Sequence, residues 1–128
     1  MPEMNEWQRA KQIWSVLVFA AREQKVLSYE MIAQMTGMAN ECGRELGHIY
    51  HYCENQRRKG KKLPSLNLIA VQKASGRPGH GCPEEFKDLP AEQSRVFLFN
   101  WLEHGVPTVE DFQKARQEAT EKESAVLA

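Results

Sequence analysis

Two amphipathic segments lie back to back between Ser28 and Arg58, joined by the tight turn Gly37-Met38-Ala39. In the first, Ser28 stands where an N-cap belongs, Met31, Ile32 and Met35 supply an apolar side, and Gly37 is the stop. In the second, Asn40 can cap a helix that runs to about Arg58, ahead of the breakers Gly60 and Pro64. Two short helices across a tight turn are the signature of a helix-turn-helix, and the rest of the chain reads as its support.

Upstream, Trp7, Ala10, Trp14, Leu17, Val18 and Ala21 recur at helical spacing, which predicts a long amphipathic helix over Glu6 to Gln24. Downstream, Leu66 to Val71 is a compact apolar run, Ala74 to Gly79 has turn chemistry, and Gly79-His80-Gly81-Cys82 suits a brief return strand; together they predict a β wing. A further helix starts after Pro90 and ends near Gly105, with Val96, Phe97, Leu98, Trp101 and Leu102 on its apolar side. Pro107 and Thr108 then begin a last, acidic helix with a thin stripe of Val109, Phe112, Ala115 and Ala119. The expected fold is therefore mainly α with a small β wing: a winged helix-turn-helix of five helices and a short hairpin. The winged domain occupies residues 1–106 and an acidic helix and tail occupy 107–128.

The chain of 128 residues is long enough to bury a core without staples. Its three cysteines, Cys42, Cys53 and Cys82, are too scattered for a disulfide framework and are expected as buried thiols. Val16 to Ala21, the longest apolar stretch, falls far short of the roughly 20 residues of a membrane span, and the start of the chain is not signal-like. A cytoplasmic location without membrane contact is the expectation. Net charge is zero, but residues 40–80 hold eight basic and three acidic side chains, whereas residues 81–128 hold five and ten. A centre of +5 in a neutral chain points to a local anionic partner.

On the third helix, Cys42, Leu46, Ile49 and Cys53 follow an i, i+4, i+7, i+11 pattern and are expected to face the core. Arg44, His48, His51 and Asn55 repeat the pattern two residues later, about 180° away, and are expected on the solvent side. Arginine and asparagine pair bidentately with guanine and adenine edges, so this stripe has the chemistry of a groove reader. It runs into Arg57, Arg58, Lys59, Lys61 and Lys62, whose charges suit phosphate contact. Gly43 and Gly47 sit within the helix at a cost of up to about 1 kcal/mol each relative to alanine. Packing against the first helix or the wing is the reading for Gly47, while for Gly43 both that packing and close approach to a phosphate or sugar stay open.

These features resemble the C-terminal DNA-binding domain of methylated-DNA cysteine methyltransferases, and more closely the single-domain alkyltransferase-like proteins. Ile13-Trp14-Ser15-Val16-Leu17 is similar to that family's opening aromatic helix, and Leu27-Ser28-Tyr29-Glu30-Met31-Ile32-Ala33 to its Ser-Tyr-Gly-Glu-Ile-Ala segment. Arg44-Glu45-Leu46-Gly47 resembles its Arg-Ala-Val-Gly, Gly76-Arg77-Pro78-Gly79 its glycine wing, and Trp101-Leu102-Glu103-His104 its final helix. The resemblance covers roughly residues 8–106 and implies a DNA-repair setting. It implies that Tyr29 contacts backbone phosphate, and that Arg44 fills the stack left when a damaged nucleotide is flipped out through the minor groove. The family's nucleophile lies in Pro-Cys-His-Arg, where this chain has Pro64-Ser65-Leu66-Asn67. A serine hydroxyl without a base does not attack an alkyl group at neutral pH, so alkyl transfer is not expected.

His48, His51 and Cys53 do not form a zinc set, because positions 48 and 53 point to opposite sides of one helix and no CxxC pair accompanies them. His80 and Cys82 lie in a glycine turn without a dyad partner. No metal, cofactor or catalytic residue is expected. The leading expectation is a non-enzymatic protein that binds duplex DNA, intact or damaged, through Tyr29, Asn40, Arg44, His48, His51, Asn55, Arg57, Arg58, Lys59, Lys61, Lys62 and Arg77. The alternative is a protein-interaction module on the same scaffold, a regulator, immunity or phage-defence-related factor that holds a partner through the acidic C-terminal helix. That helix could also cover the basic centre.

Overall fold

The first helix, α1 (Glu6–Arg22), begins at a capping box: the Asn5 side chain accepts from the Gln8 amide at 2.9 Å, and the Gln8 side chain accepts from the Asn5 amide at 3.0 Å. The computed structural model describes residues 4–37, 42–79 and 87–127, the side chains of 124–127 excepted. As the spacing predicts, α1 buries one stripe, from Ala10 through Ile13, Trp14 and Leu17 to Ala21. A short extended link, β1 (Leu27–Ser28), leads to α2 (Tyr29–Met35), where Ser28 caps as expected by accepting from the Met31 amide at 3.0 Å. Gly37, at φ +70°, follows the end of α2.

Residues 38–41, Asn40 among them, lie outside the described residues. Helix α3 (Gly43–Arg58) starts with Cys42 in its N-cap position and no side-chain cap. The core stripe holds: Cys42, Leu46, Ile49 and Cys53 are all fully buried.

The wing departs from expectation. Leu66–Ile69 is a 3-10 turn, and only Ala70–Val71 is a strand, β2. Its partner is β1, in parallel register with Leu27 opposite Ala70 and Ser28 opposite Val71. The described sheet is therefore a parallel pair from segments far apart in sequence, not a hairpin; the proposed return strand at 80–82 lies outside the described residues. The turn chemistry at 74–79 does close a tight loop, since the Gly76 amide donates to the Gln72 carbonyl and the Gln72 amide to the Arg77 carbonyl, each at 2.8 Å. Gly76, at φ +68°, supplies the left-handed residue.

The single helix expected between Pro90 and Gly105 is two: α4 (Leu89–Leu98) and α5 (Trp101–His104). Phe99 is extended, and the Asn100 side chain caps the second by accepting from the Glu103 amide at 3.2 Å. The Trp101 indole N–H spans the break to the Val96 carbonyl at 2.8 Å. The last helix is α6 (Val109–Leu127). Six α-helices and one two-stranded sheet among the described residues make the fold mainly α with a small β element.

At the centre, the Trp14 indole meets Tyr52, Trp101 and Phe112 edge-on, with ring centroids 5.4, 5.5 and 6.2 Å away. Phe112 and Ala115 of α6 belong to this core, so the acidic helix is built into the fold and lies along α3. No helix among the described residues is long and apolar enough to cross a membrane.

Candidate nucleic-acid interface

A helix shows its polar stripe to solvent only where no other element covers it, and α3 is covered on two sides. His48 and Asn55, both expected outside, are buried at 4% and 7% exposure. The His48 imidazole stacks on Trp7 of α1 and donates Nε2–H to Glu6 Oε2 at 3.2 Å. His51 is only half-buried, edge-on to Tyr50. Burial holds both imidazoles below their ordinary pKa of 6.5; for His48 it outweighs the Glu6 hydrogen bond, and for His51 the Arg116 charge from α6 adds to it. Both are therefore mainly neutral at pH 7 and bring no charge to a phosphate.

The stripe that reaches solvent is Arg44, Gly47, His51, Glu54 and Arg58, which fall within an arc of about 80° at 100° per residue. Arg44 is the most open of the reader residues, at 59% side-chain exposure. Its Nε lies 2.9 Å from Glu6 Oε2, and its Nη2 lies 3.2 Å from Glu45 Oε1. Glu45 is 1% exposed and also receives Arg9 of α1 at 3.5 Å. Sequence reading passed over this network, although basic Arg9 and Arg44 flanking a carboxylate beside the core stripe is a legible sign of an α1–α3 ion cluster.

Gly47 differs from expectation more sharply. Among the described residues, a Cβ built there meets nothing within 4 Å, so neither α1 nor the described part of the wing accounts for the glycine. At the same end of α3, Cys42 Sγ donates to the Tyr29 carbonyl at 3.8 Å, and the Tyr29 hydroxyl accepts from the Gly79 amide at 2.9 Å. The start of α2, the start of α3 and the Gly76–Gly79 loop thus converge.

The basic run is a second place, about 21 Å further along α3 if Arg44 and Arg58 are separated by 1.5 Å per residue. Arg57 is turned away from the exposed stripe, and its Nη1 is committed within the molecule: it donates to the Leu63 carbonyl at 2.9 Å and to Ser65 Oγ at 2.8 Å, closing the loop after α3. Arg58 pairs with Glu54, and Lys59 reaches Glu118 of α6 at 3.7 Å. Lys61, Lys62 and, in the glycine loop, Arg77 are exposed. Asn40, His80 and Cys82 lie outside the described residues, among which no group of His, Cys, Asp and Glu is arranged to hold a metal.

A scan of protein-family models, a search of curated proteins and a search of solved structures each return no match.

Proposed function

We propose that this chain is a non-enzymatic DNA-binding protein of the alkyltransferase-like winged-helix type, which brings the first turns of α3 against duplex DNA, intact or damaged, without alkyl transfer. The observation that carries this reading is Gly47. A helix-interior glycine costs up to about 1 kcal/mol against alanine, and nothing among the described residues needs the missing side chain. Close approach by an outside backbone supplies a reason, and Arg44, one turn earlier on the same exposed stripe, supplies the charge. Tyr29 and the Gly76–Gly79 loop flank that end. Ser65, in the place of the family's thiol, is 4% exposed and hydrogen-bonded to Arg57, with no base beside it among the described residues.

Fluorescence anisotropy with plain and alkylated duplexes at low and high salt tests this. Arg44→Ala is expected to weaken binding and lower the salt slope by about one phosphate contact. Affinity that is negligible at low salt, or untouched by Arg44→Ala, refutes it.

A second reading, a protein-interaction module, is favoured by one observation away from α3. Phe19, Leu102 and Val106 are 65%, 61% and 50% exposed around a groove of about 240 Å³ between α1 and α5. Exposed apolar clusters of this kind are common at protein contacts. The acidic helix is a weaker candidate for the partner surface, since its apolar stripe is spent on the core.

A further inference from the structure

At the far end of α3 from Arg44, the loop that follows the helix leans on α4 and leaves a cavity of about 580 Å³. Leu63, Pro64, Leu68, Leu98 and Phe99 supply its apolar wall. Arg57, Lys62 and Arg95 bring three positive charges to it, against the single carboxylate of Glu92. Gly47 and Arg44, on which the DNA reading rests, and Tyr29 and Gly79 beside them do not line it.

Three features set this place apart from ordinary surface. Its volume falls in the range of pockets that hold small molecules, and its lining is mainly apolar with a few polar groups, as such pockets are. Arg57 is preorganised, because two hydrogen bonds from one of its terminal nitrogens to the Leu63 carbonyl and Ser65 Oγ fix the guanidinium at the wall. Leu98 stands 79% exposed on α4, an apolar side chain left in water where the neighbouring Val96 is fully buried. A ligand with an apolar body would cover Leu98, and an anionic head would meet the unbalanced charges.

We infer that this cavity binds a small amphiphilic anion, a carboxylate or sulfonate carried on an apolar body. The apolar body lies against Leu63, Leu68, Leu98 and Phe99. The head is held by the Arg57 guanidinium, with Lys62 and Arg95 at the mouth. This site is separate from the DNA reading and stands or falls independently of it.

The test is titration of the full chain with anilinonaphthalene sulfonate, followed by fluorescence, with decanoate and decanol as competitors. One saturable site is expected, displaced by decanoate and much less by decanol. Arg95→Glu and Lys62→Glu each remove a charge-assisted contact and are expected to weaken the dye by about tenfold, and Leu98→Ser to weaken it as well. All three side chains are exposed, so the fold tolerates the changes, as a thermal melt of each variant will show. Phe19→Ser, at the other apolar patch, is expected to leave dye binding unchanged. The inference is overturned if no saturable site exists, if decanol competes as well as decanoate, or if Phe19→Ser abolishes binding while Arg95→Glu does not. It is equally overturned if duplex DNA displaces the dye and decanoate fails to.

Discussion

The imidazole of His48 lies against the indole of Trp7, with ring centroids 4.0 Å apart and planes 22° from parallel. This stack joins α3 to the first turn of α1, and Glu6, one residue before the indole, holds the imidazole nitrogen. The contact turns what reads as a DNA-facing side of α3 into an interface within the molecule. The opening toward an outside partner narrows to the strip that starts at Arg44 and Gly47.

Stability should fall in mild acid. Burial lowers the pKa of His48, His51 and His104 below the ordinary 6.5. Near and below that value the unfolded chain therefore binds more protons than the folded one. The stabilisation is complete above about pH 6.5 and is lost as pH falls from there through the depressed folded values, with a slope of at most about 1.4 kcal/mol per pH unit per histidine. Urea titrations at neutral pH and at about pH 5 should show an earlier midpoint in acid. His48→Phe, which keeps a ring against Trp7, should flatten part of the dependence; an unchanged profile in that variant would assign it to other groups.

Helix α6 should prove indispensable to folding. Phe112 is fully buried and packs edge-on to both Trp14 and Tyr52. Phe112→Ala should cost about 3–5 kcal/mol, a large share of the stability of a small domain. Truncation after Val106 removes Phe112 and Ala115 together and should leave a chain without a cooperative thermal transition. A truncated chain that melts sharply at the full-length temperature would contradict this placement.

What could be read from the sequence depended on what covers each element. The stripe of Cys42, Leu46, Ile49 and Cys53 was legible because apolar periodicity reports burial directly. Ser28 and Gly37 were legible because caps and left-handed stops are local chemistry. His48 and Asn55 were misplaced because polar side chains look solvent-facing unless the covering element is known. Here the covers are an aromatic ring and a carboxylate in α1, with α6 packing along the helix, and no hydrophobic stripe of α3 announces them. Leu66–Ile69 was misread because a buried 3-10 turn and a buried strand share the same unbroken apolar run, and the partner of Ala70–Val71 is two residues long and distant in sequence. The break at Phe99 was available in principle, since Asn100 with Glu103 three residues later is a cap signature.

Glu6 should act against DNA binding. Its Oε2 engages Arg44 and His48 together, so a phosphate must share or displace it to take the guanidinium. Glu6→Gln keeps a hydrogen-bond acceptor for His48 but removes the charge. The variant should melt within about 1 kcal/mol of the parent, as partly exposed pairs contribute little. Duplex affinity at low salt should rise several-fold, with the gain shrinking at high salt as screening increases. Lower affinity in Glu6→Gln would mean that the carboxylate orients Arg44 for contact instead of competing for it.

Gly47→Ala separates folding from recognition at one atom. The position is helical and open, so the added methyl meets nothing among the described residues and improves helix propensity. The melting transition should rise, by up to about 1 kcal/mol of added stability. A duplex whose backbone comes against α3 at this point does meet the methyl, so affinity should fall for plain and alkylated DNA alike. Opposite signs in one variant cannot come from general damage to the fold, because a damaged protein does not melt later. If Gly47→Ala raises stability and leaves DNA affinity as it was, the first turns of α3 are not where a partner makes its closest approach.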